Sequence, residues 1–174
     1  RIAEANDYAE KHGLALFAAS EPHYSLAEQV TKPHGPGCVS LSGPASKEAR
    51  AWYAANQIAI TPYSSLAGGL MSGRVTRENF GELLNGGHIP GHCRAYCHEV
   101  NFKRLDRAIA LAEEKDATVA QIALAFILQI GMNVFPLTGV RSGEEFADNV
   151  KALDVKLTAG DLAWLDLESD DRII

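Results

Sequence analysis

The residues best suited to chemistry lie in the turn Gly139-Val140-Arg141-Ser142, which follows an apolar run and opens a helical pattern. A helix N-terminus presents unpaired backbone N–H groups and the positive end of the helix dipole, so it favours an anion. Arg141 adds a guanidinium that suits a phosphate group. Ser142 and Glu145 also have the spacing of a capping box, so the alternative is a well-capped helix beside a solvated arginine.

A rival cluster packs three histidines and two cysteines into a short stretch. Imidazole and thiolate are good zinc ligands, and residues four apart would share one face of a helix. Glycines and a proline in the same stretch disfavour a helix, and the spacing is not that of a common zinc module. We therefore expect a flexible loop over a cleft and no bound metal at His88, His92, Cys93, Cys97 and His98.

The elements that would position these residues alternate along the chain. Short apolar runs predict buried strands at 14–20, 58–63 and 133–138, and periodic segments predict helices at 1–13, 46–56, 102–115, 118–130, 143–153 and 158–167. Thr118 with Gln121, and Thr158 with Asp161, have capping-box spacing, and Ser46 is a further N-cap candidate. Residues 24–43 read as a long loop, and 75–100 as irregular. The fold class is α/β, with parallel strands and right-handed crossovers.

Ligands of such folds gather at the carboxyl ends of the strands. Glu21 and Tyr24 follow the first predicted strand, the run from Tyr63 to Leu66 follows the second, and the turn 139–142 follows the third. An aromatic ring can stack on a flat ligand, and glycines let the backbone approach a pyrophosphate. Together these features suit a dinucleotide.

Composition narrows the function classes. The 174 residues have 47% hydrophobic content and a formal net charge of −6, without a basic run, which argues against nucleic acid and anionic membranes as partners. No apolar stretch reaches transmembrane length, and three sparse cysteines favour a reducing, cytoplasmic setting. Residue 1 is arginine and already lies in an amphipathic helix, so we expect residues 1–174 to be a single partial domain that begins in mid-domain.

Several segments together resemble the C-terminal half of an aldo-keto reductase. They are the run YSSLAGGLMSGR from Tyr63, the run ATVAQIALA from Ala117, the run TGVRS from Thr138 through to Asn149, and Leu157-Thr158. The resemblance covers nearly the whole chain, in order and at the expected spacing. It implies the last part of a (β/α)₈ barrel, about three parallel strands with surrounding helices, from a protein that reduces aldehydes or ketones with NADPH.

The resemblance also implies roles for individual residues. Tyr63 would stack on the nicotinamide, and Glu21 and Tyr24 would lie near the nicotinamide or the carbonyl substrate. Glu21 stands where the family commonly has glutamine, which puts its contact to the nicotinamide amide in doubt because a carboxylate does not donate. The pyrophosphate, the adenosine 2′-phosphate and the adenine would be contacted by Ser64, Leu66, Gly68, Arg74, Gly139, Arg141, Ser142, Glu145 and Asn149.

No catalytic residue is assigned to this sequence. The family's catalytic Asp, Tyr, Lys and His lie on the first half of the barrel, and their motifs do not occur here. The alternative function is a non-catalytic half-barrel module that binds a nucleotide or a protein partner. A further alternative is a zinc-stabilised interaction domain. Exposed sheet edges in a partial barrel would favour self-association.

Overall fold

The computed structural model describes residues 1–30, 37–88 and 91–172. These residues form two strands and eight helices, with 3₁₀ turns at Pro44–Ser46, Ala67–Ser72 and Lys151–Leu153. The elements in chain order are α1 (Ile2–Lys11), β1 (Ala19–Ser20), α2 (Lys47–Asn56), β2 (Ala59–Ile60), α3 (Phe80–Asn85), α4 (Gly91–Arg94), α5 (Glu99–Glu114), α6 (Val119–Gln129), α7 (Gly143–Val150) and α8 (Ala159–Leu165). In the described ranges, no helix has the length and apolar character needed to cross a membrane.

The two strands pair in parallel, with Ala19 opposite Ala59 and Ser20 opposite Ile60. A third segment lies on the other side of β2, where Ile60 and Val134 form a parallel bridge. The N–H of Ile60 donates to the carbonyl oxygen of Asn133 at 2.8 Å. The parallel α/β class is therefore confirmed, and the carboxyl ends of all three segments reach the same edge.

The predicted strand lengths are wrong. Of residues 14–20 only β1 is a strand, and Leu14 and Phe17 are 57% and 62% exposed, so this run is not buried on both faces. The run contacts α1 instead of a partner strand at this point, where the N–H of Phe17 donates to Oδ1 of Asn6 at 2.9 Å. In the segment 133–138, Phe135 and Leu137 are likewise exposed. An apolar run becomes a strand only where a partner strand pairs with it. Self-association through the exposed edges of the sheet stays a prediction.

The stretch predicted to be irregular contains helices. Both α3 and α4 lie within it, and α5 begins at Glu99 rather than at Phe102. The long loop predicted for 24–43 has one regular contact in its described part, a parallel bridge between His23 and Ser40. Residues 31–36 lie outside the described residues. Local composition was misleading here because glycine lowers helix propensity without forbidding a short helix, and both α3 and α4 contain one.

The sequence predicts side-chain caps at four helices. Three of these helices have one, and α2 does not. Thr118 with Gln121, and Thr158 with Asp161, each form both hydrogen bonds of a capping box. Ser46 precedes α2, but its hydroxyl donates to the carbonyl oxygen of Ser40 at 2.7 Å and does not cap the helix. The cap of α7 by Ser142 belongs to the candidate site.

The core forms where α5 and α6 pack together, with α8 against α5. Leu105 and Leu111 of α5 and Ile122 of α6 are completely buried. Alongside them, the guanidinium of Arg104 is 1% exposed and binds carboxylates of Asp166 and Glu28. This ion cluster ties the end of α8 to α5.

We expect the stability of the fold to decrease in acid partly through Asp161. Burial opposes its ionisation, but the N–H of Thr158, Lys115 and Arg172 outweigh burial, and its pKa lies below the usual value. A lowered folded-state pKa means that the ionised group stabilises the fold above about pH 4, and that this contribution is lost as the pH falls further. Urea unfolding of Asp161→Asn should therefore show a shallower loss of stability between about pH 4 and pH 2.

The exposed Asp154 provides the control, because its side chain lies on the surface after the Lys151–Leu153 turn. Asp154→Asn should retain the pH slope of the unmodified chain. Equal slopes for the unmodified chain and Asp161→Asn would contradict the role of Asp161.

Candidate functional site

The glycine loop, residues 64–74, follows the β2 segment and has an unusual backbone. Ser64 and Ala67 have φ values of 55° and 53°, and Gly68 and Gly69 have φ values of 62° and 102°. A non-glycine residue in this region costs about 1–3 kcal/mol, and such strain concentrates at functional sites. The N–H of Ala67 donates to the carbonyl oxygen of Ser64 at 2.7 Å, which closes the first turn of the loop.

This loop forms one wall of a cleft of about 430 Å³, and the end of the 133–138 segment with the start of α7 forms the other. Six residues predicted from the sequence line this cleft together. They are Ser64, Leu66, Gly68, Arg74, Gly139 and Glu145. Residues 64–74 and 137–145 are far apart in sequence, and they meet because both follow neighbouring parallel segments.

Two arginines share one carboxylate at the rim of the cleft. Glu145 accepts from Nη2 of Arg74 at 2.6 Å and from Nε of Arg141 at 3.3 Å. It also accepts from the backbone N–H of Arg141 at 2.9 Å, and these contacts hold the pKa of Glu145 below its usual value. Two guanidinium groups thus share the carboxylate of Glu145, and the exposed Glu144 stands beside it in the first turn of α7.

The cap of α7 differs from the predicted capping box. The hydroxyl of Ser142 accepts from the N–H of Glu145 at 3.2 Å, as expected. The reciprocal bond goes to the N–H of Arg141 rather than to that of Ser142. Glu145 therefore orders the turn that carries Arg141 as well as the helix itself.

Asn149 lies one helical turn after Glu145 and is 8% exposed. Within the described part of the chain, its amide nitrogen Nδ2 has no hydrogen-bond partner. A buried amide donor without an acceptor costs free energy, so this position suits a ligand that accepts a hydrogen bond.

The predicted nicotinamide-side residues lie in a different place. Glu21 and Tyr63 line a larger cavity of about 790 Å³, together with the rings of Trp52 and Tyr53. Burial raises the pKa of Tyr63 above its usual value, and Cys38 adds to this effect. Since Tyr63 and Ser64 are consecutive, the two cavities adjoin at this peptide.

Tyr24 does not line either cavity. Its side chain is 1% exposed in the core, and burial raises its pKa well above the usual value. Its place near the nicotinamide or the substrate stays a prediction. The segment 22–27 after β1 is buried throughout, whereas Glu21 is exposed.

Other contributors to the cleft were not predicted. Ser65, Gly69, Ser72, Leu137 and Thr138 also line it. These residues could have been predicted only because they lie in the same two loops as the residues named from the sequence. Behind the glycine loop, the hydroxyl of Tyr96 accepts from Gln29 at 3.1 Å, a contact that no sequence pattern indicates.

The candidate metal cluster does not assemble a ligand set in the described ranges. No group of three or more His, Cys, Asp or Glu side chains lies close enough there to hold a metal ion. Cys93 and Cys97 do lie together, with their sulfur atoms 3.8 Å apart.

We expect Gly69→Ala to destabilise the fold by about 1–3 kcal/mol, because φ of 102° is unfavourable for a side chain. Crowding is not the reason, since an added Cβ would meet only Ser72 Oγ, at 4.0 Å. Gly81→Ala in α3 is the control, and it should stabilise the fold by about 0.4–1 kcal/mol through the unfolded state. Urea unfolding measures both, and equal effects would contradict the strain at Gly69.

Comparison with known proteins gives a family match over most of the chain. Residues 2–167 match the profile of the Aldo/keto reductase family. A probable aldo-keto reductase 1 from Glycine max is 34% identical over 107 residues, which cover 60% of this chain and 30% of the relative.

Two other relatives carry more specific names. An aryl-alcohol dehydrogenase from Pestalotiopsis microspora is 26% identical over 162 residues, covering 92% of this chain and 36% of the relative. An NADH-specific methylglyoxal reductase from Escherichia coli is 30% identical over 115 residues, which cover 61% of this chain and 32% of the relative. The chain thus spans about a third of the length of these relatives.

Proposed function

This chain belongs to the aldo/keto reductase family, and we propose that it supplies the NADPH site of an enzyme that reduces aldehydes or ketones. The observation that carries the proposal is the cleft between the glycine loop and α7, with Arg74 and Arg141 on the carboxylate of Glu145. A dinucleotide is an extended anion, and this rim carries two guanidinium groups. The names of the relatives support an oxidoreductase reaction.

The residues present fit the adenosine end of the cofactor. Gly68 and Gly69 carry no side chain, so their backbone can approach a pyrophosphate closely. Arg141, at the N-terminus of α7, would pair with the 2′-phosphate, and Ser142 lies beside it. The unpartnered amide of Asn149 would donate to a ring nitrogen of adenine.

The nicotinamide end would lie at the second cavity, where Tyr63 offers its ring for stacking. When bound, the reduced nicotinamide supplies a hydride to the carbonyl carbon of the substrate. Glu21 accepts hydrogen bonds when ionised and does not donate, so it would hold only the N–H₂ side of the carboxamide. Trp52 and Tyr53 give this cavity aromatic walls.

The proton for the carbonyl oxygen would come from a tyrosine outside these 174 residues. In the proposal this chain binds and orients the cofactor, and the other part of the barrel supplies the acid. We therefore expect the 174-residue chain to show no NADPH-dependent turnover of a reactive aldehyde, measured by loss of NADPH absorbance. Turnover by the purified chain would require an acid within it and would contradict this division.

Cofactor titration is the direct test of the proposed site. NADPH should bind the chain, as measured by its fluorescence change or by calorimetry, and it should bind more tightly than NADH because only NADPH carries the 2′-phosphate. Equal affinities would contradict the phosphate role, and NADH preference would place this chain with the relative named NADH-specific. Binding of neither cofactor would contradict the proposed site itself.

A further inference from the structure

Two buried thiols lie behind the glycine loop, and the proposed cofactor site uses neither of them. Cys93 lies in α4 and Cys97 lies just after it, and they are 1% and 9% exposed. Their sulfur atoms are 3.8 Å apart, in van der Waals contact. The thiol of Cys97 also donates to the carbonyl oxygen of Cys93 at 3.3 Å.

The thiol pair is in contact with the residues that shape the loop. Helix α4 packs against the 3₁₀ turn Ala67–Ser72, and the sulfur of Cys93 lies next to the backbone of Leu70. Tyr96 stands between the two cysteines in sequence, and its hydroxyl lies next to the side chain of Ser64. A change at the thiols therefore reaches both ends of the strained part of the loop.

We propose that Cys93 and Cys97 form a reversible disulfide when the protein meets a hydroperoxide, and that closing this bond reshapes the glycine loop and weakens cofactor binding. The first part stands on the geometry of the thiol pair, and the second part rests on the proposed function. Contacts with the Cys97 thiol and the Leu70 backbone lower the pKa of Cys93 despite its burial, and the contact between the two thiols raises the pKa of Cys97. Cys93 is therefore the thiol of the pair whose ionisation is favoured.

The reaction takes two steps. The Cys93 thiolate attacks one oxygen of the hydroperoxide, the O–O bond breaks, and the departing oxygen takes a proton to leave as water or an alcohol. The sulfenic acid formed on Cys93 is then attacked by the Cys97 sulfur, which loses its proton as the S–S bond forms and a water leaves. Two thiols are thereby oxidised by two electrons, and the hydroperoxide is reduced by two electrons.

Closing the bond must draw the two sulfur atoms from 3.8 Å to about 2.05 Å, and it fixes the geometry of the residues between them. The turn, held by the N–H of Tyr96 donating to the carbonyl oxygen of Cys93 at 3.0 Å, must tighten to meet this requirement. Tyr96 then shifts relative to Ser64, and Cys93 relative to Leu70. Strain of this kind also makes a disulfide easier to reduce, so the change is reversible.

The disulfide is tested by mass spectrometry in a Cys38→Ser background, which removes the remaining cysteine. Brief treatment with hydrogen peroxide should remove two hydrogen atoms from the intact mass, and dithiothreitol should restore them. Trypsin cleaves after Arg94, between the cysteines, so the two resulting peptides should stay joined only in the oxidised chain. Cys93→Ser and Cys97→Ser should each abolish the joined peptides, and persistence of both free thiols under peroxide would overturn the proposal.

Coupling to the loop has its own measurements. Amide hydrogen exchange over residues 64–72 should be faster in the oxidised chain, and NADPH binding should weaken by roughly five- to tenfold, as for one lost loop hydrogen bond. Unchanged exchange in a fully oxidised sample would overturn the coupling. If exchange changes but NADPH binds neither form, the proposed function fails while the redox pair stands.

Discussion

Replacing Asp166 by alanine should lower the free energy of unfolding by about 3–5 kcal/mol, the usual cost of breaking a buried ion pair. Its carboxylate lies 3.2 Å from Nη2 of Arg104 and 3.4 Å from Nη2 of Arg50. Arg104 is 1% exposed, and Arg50 also holds the carbonyl oxygens of Leu41 and Gly43. Without Asp166, Arg104 retains Glu28 as a carboxylate partner, and Arg50 retains the two carbonyl oxygens.

A surface pair two residues away is the matched control. Glu168 lies 3.5 Å from Lys47, and both side chains are well exposed. Glu168→Ala should change the free energy of unfolding by less than about 1 kcal/mol. Urea unfolding of the two variants at neutral pH decides the matter, and a cost for Asp166→Ala no larger than that for Glu168→Ala would show that the cluster is not structural.

Arg141→Ala should weaken NADPH binding by about 1.5–3 kcal/mol, the range for a hydrogen bond to a charged group, while NADH binding changes little. The guanidinium is 75% exposed and contacts Glu145 through Nε, so removing it leaves no buried charge behind. The backbone N–H of Arg141, which also binds Glu145, is retained in the variant. Stability should therefore be nearly unchanged.

Lys151→Ala is the control for Arg141→Ala, since Lys151 is another exposed cation at the other end of α7, paired with Asp148 at 3.1 Å. It should alter the affinity for neither cofactor. Calorimetric titration of both variants with NADPH and NADH makes the comparison. Equal losses of NADPH and NADH affinity in Arg141→Ala would show that Arg141 does not bind the 2′-phosphate.

Some of the fold could be predicted because its signals are local. The capping boxes at Thr118 and Thr158 need only residues three apart, and the helix periodicity of α5 and α6 is visible within one segment. The extent of the strands was not predictable in this way. Pairing needs a neighbour, and the run 14–20 is as apolar in the sequence as a buried strand, yet Leu14 and Phe17 are exposed.

The sequence by itself determined the α/β class, the order of the main helices, and two loops with ligand-binding character, because each depends on residues close together in the chain. Only the tertiary structure brought Arg74 to Glu145, turned Tyr24 into the core, and placed Cys93 and Cys97 behind the glycine loop. Such contacts join segments whose relative position depends on strand pairing and helix packing. A sequence pattern identifies the candidate residues. The distances between residues far apart in the chain are set only by folding.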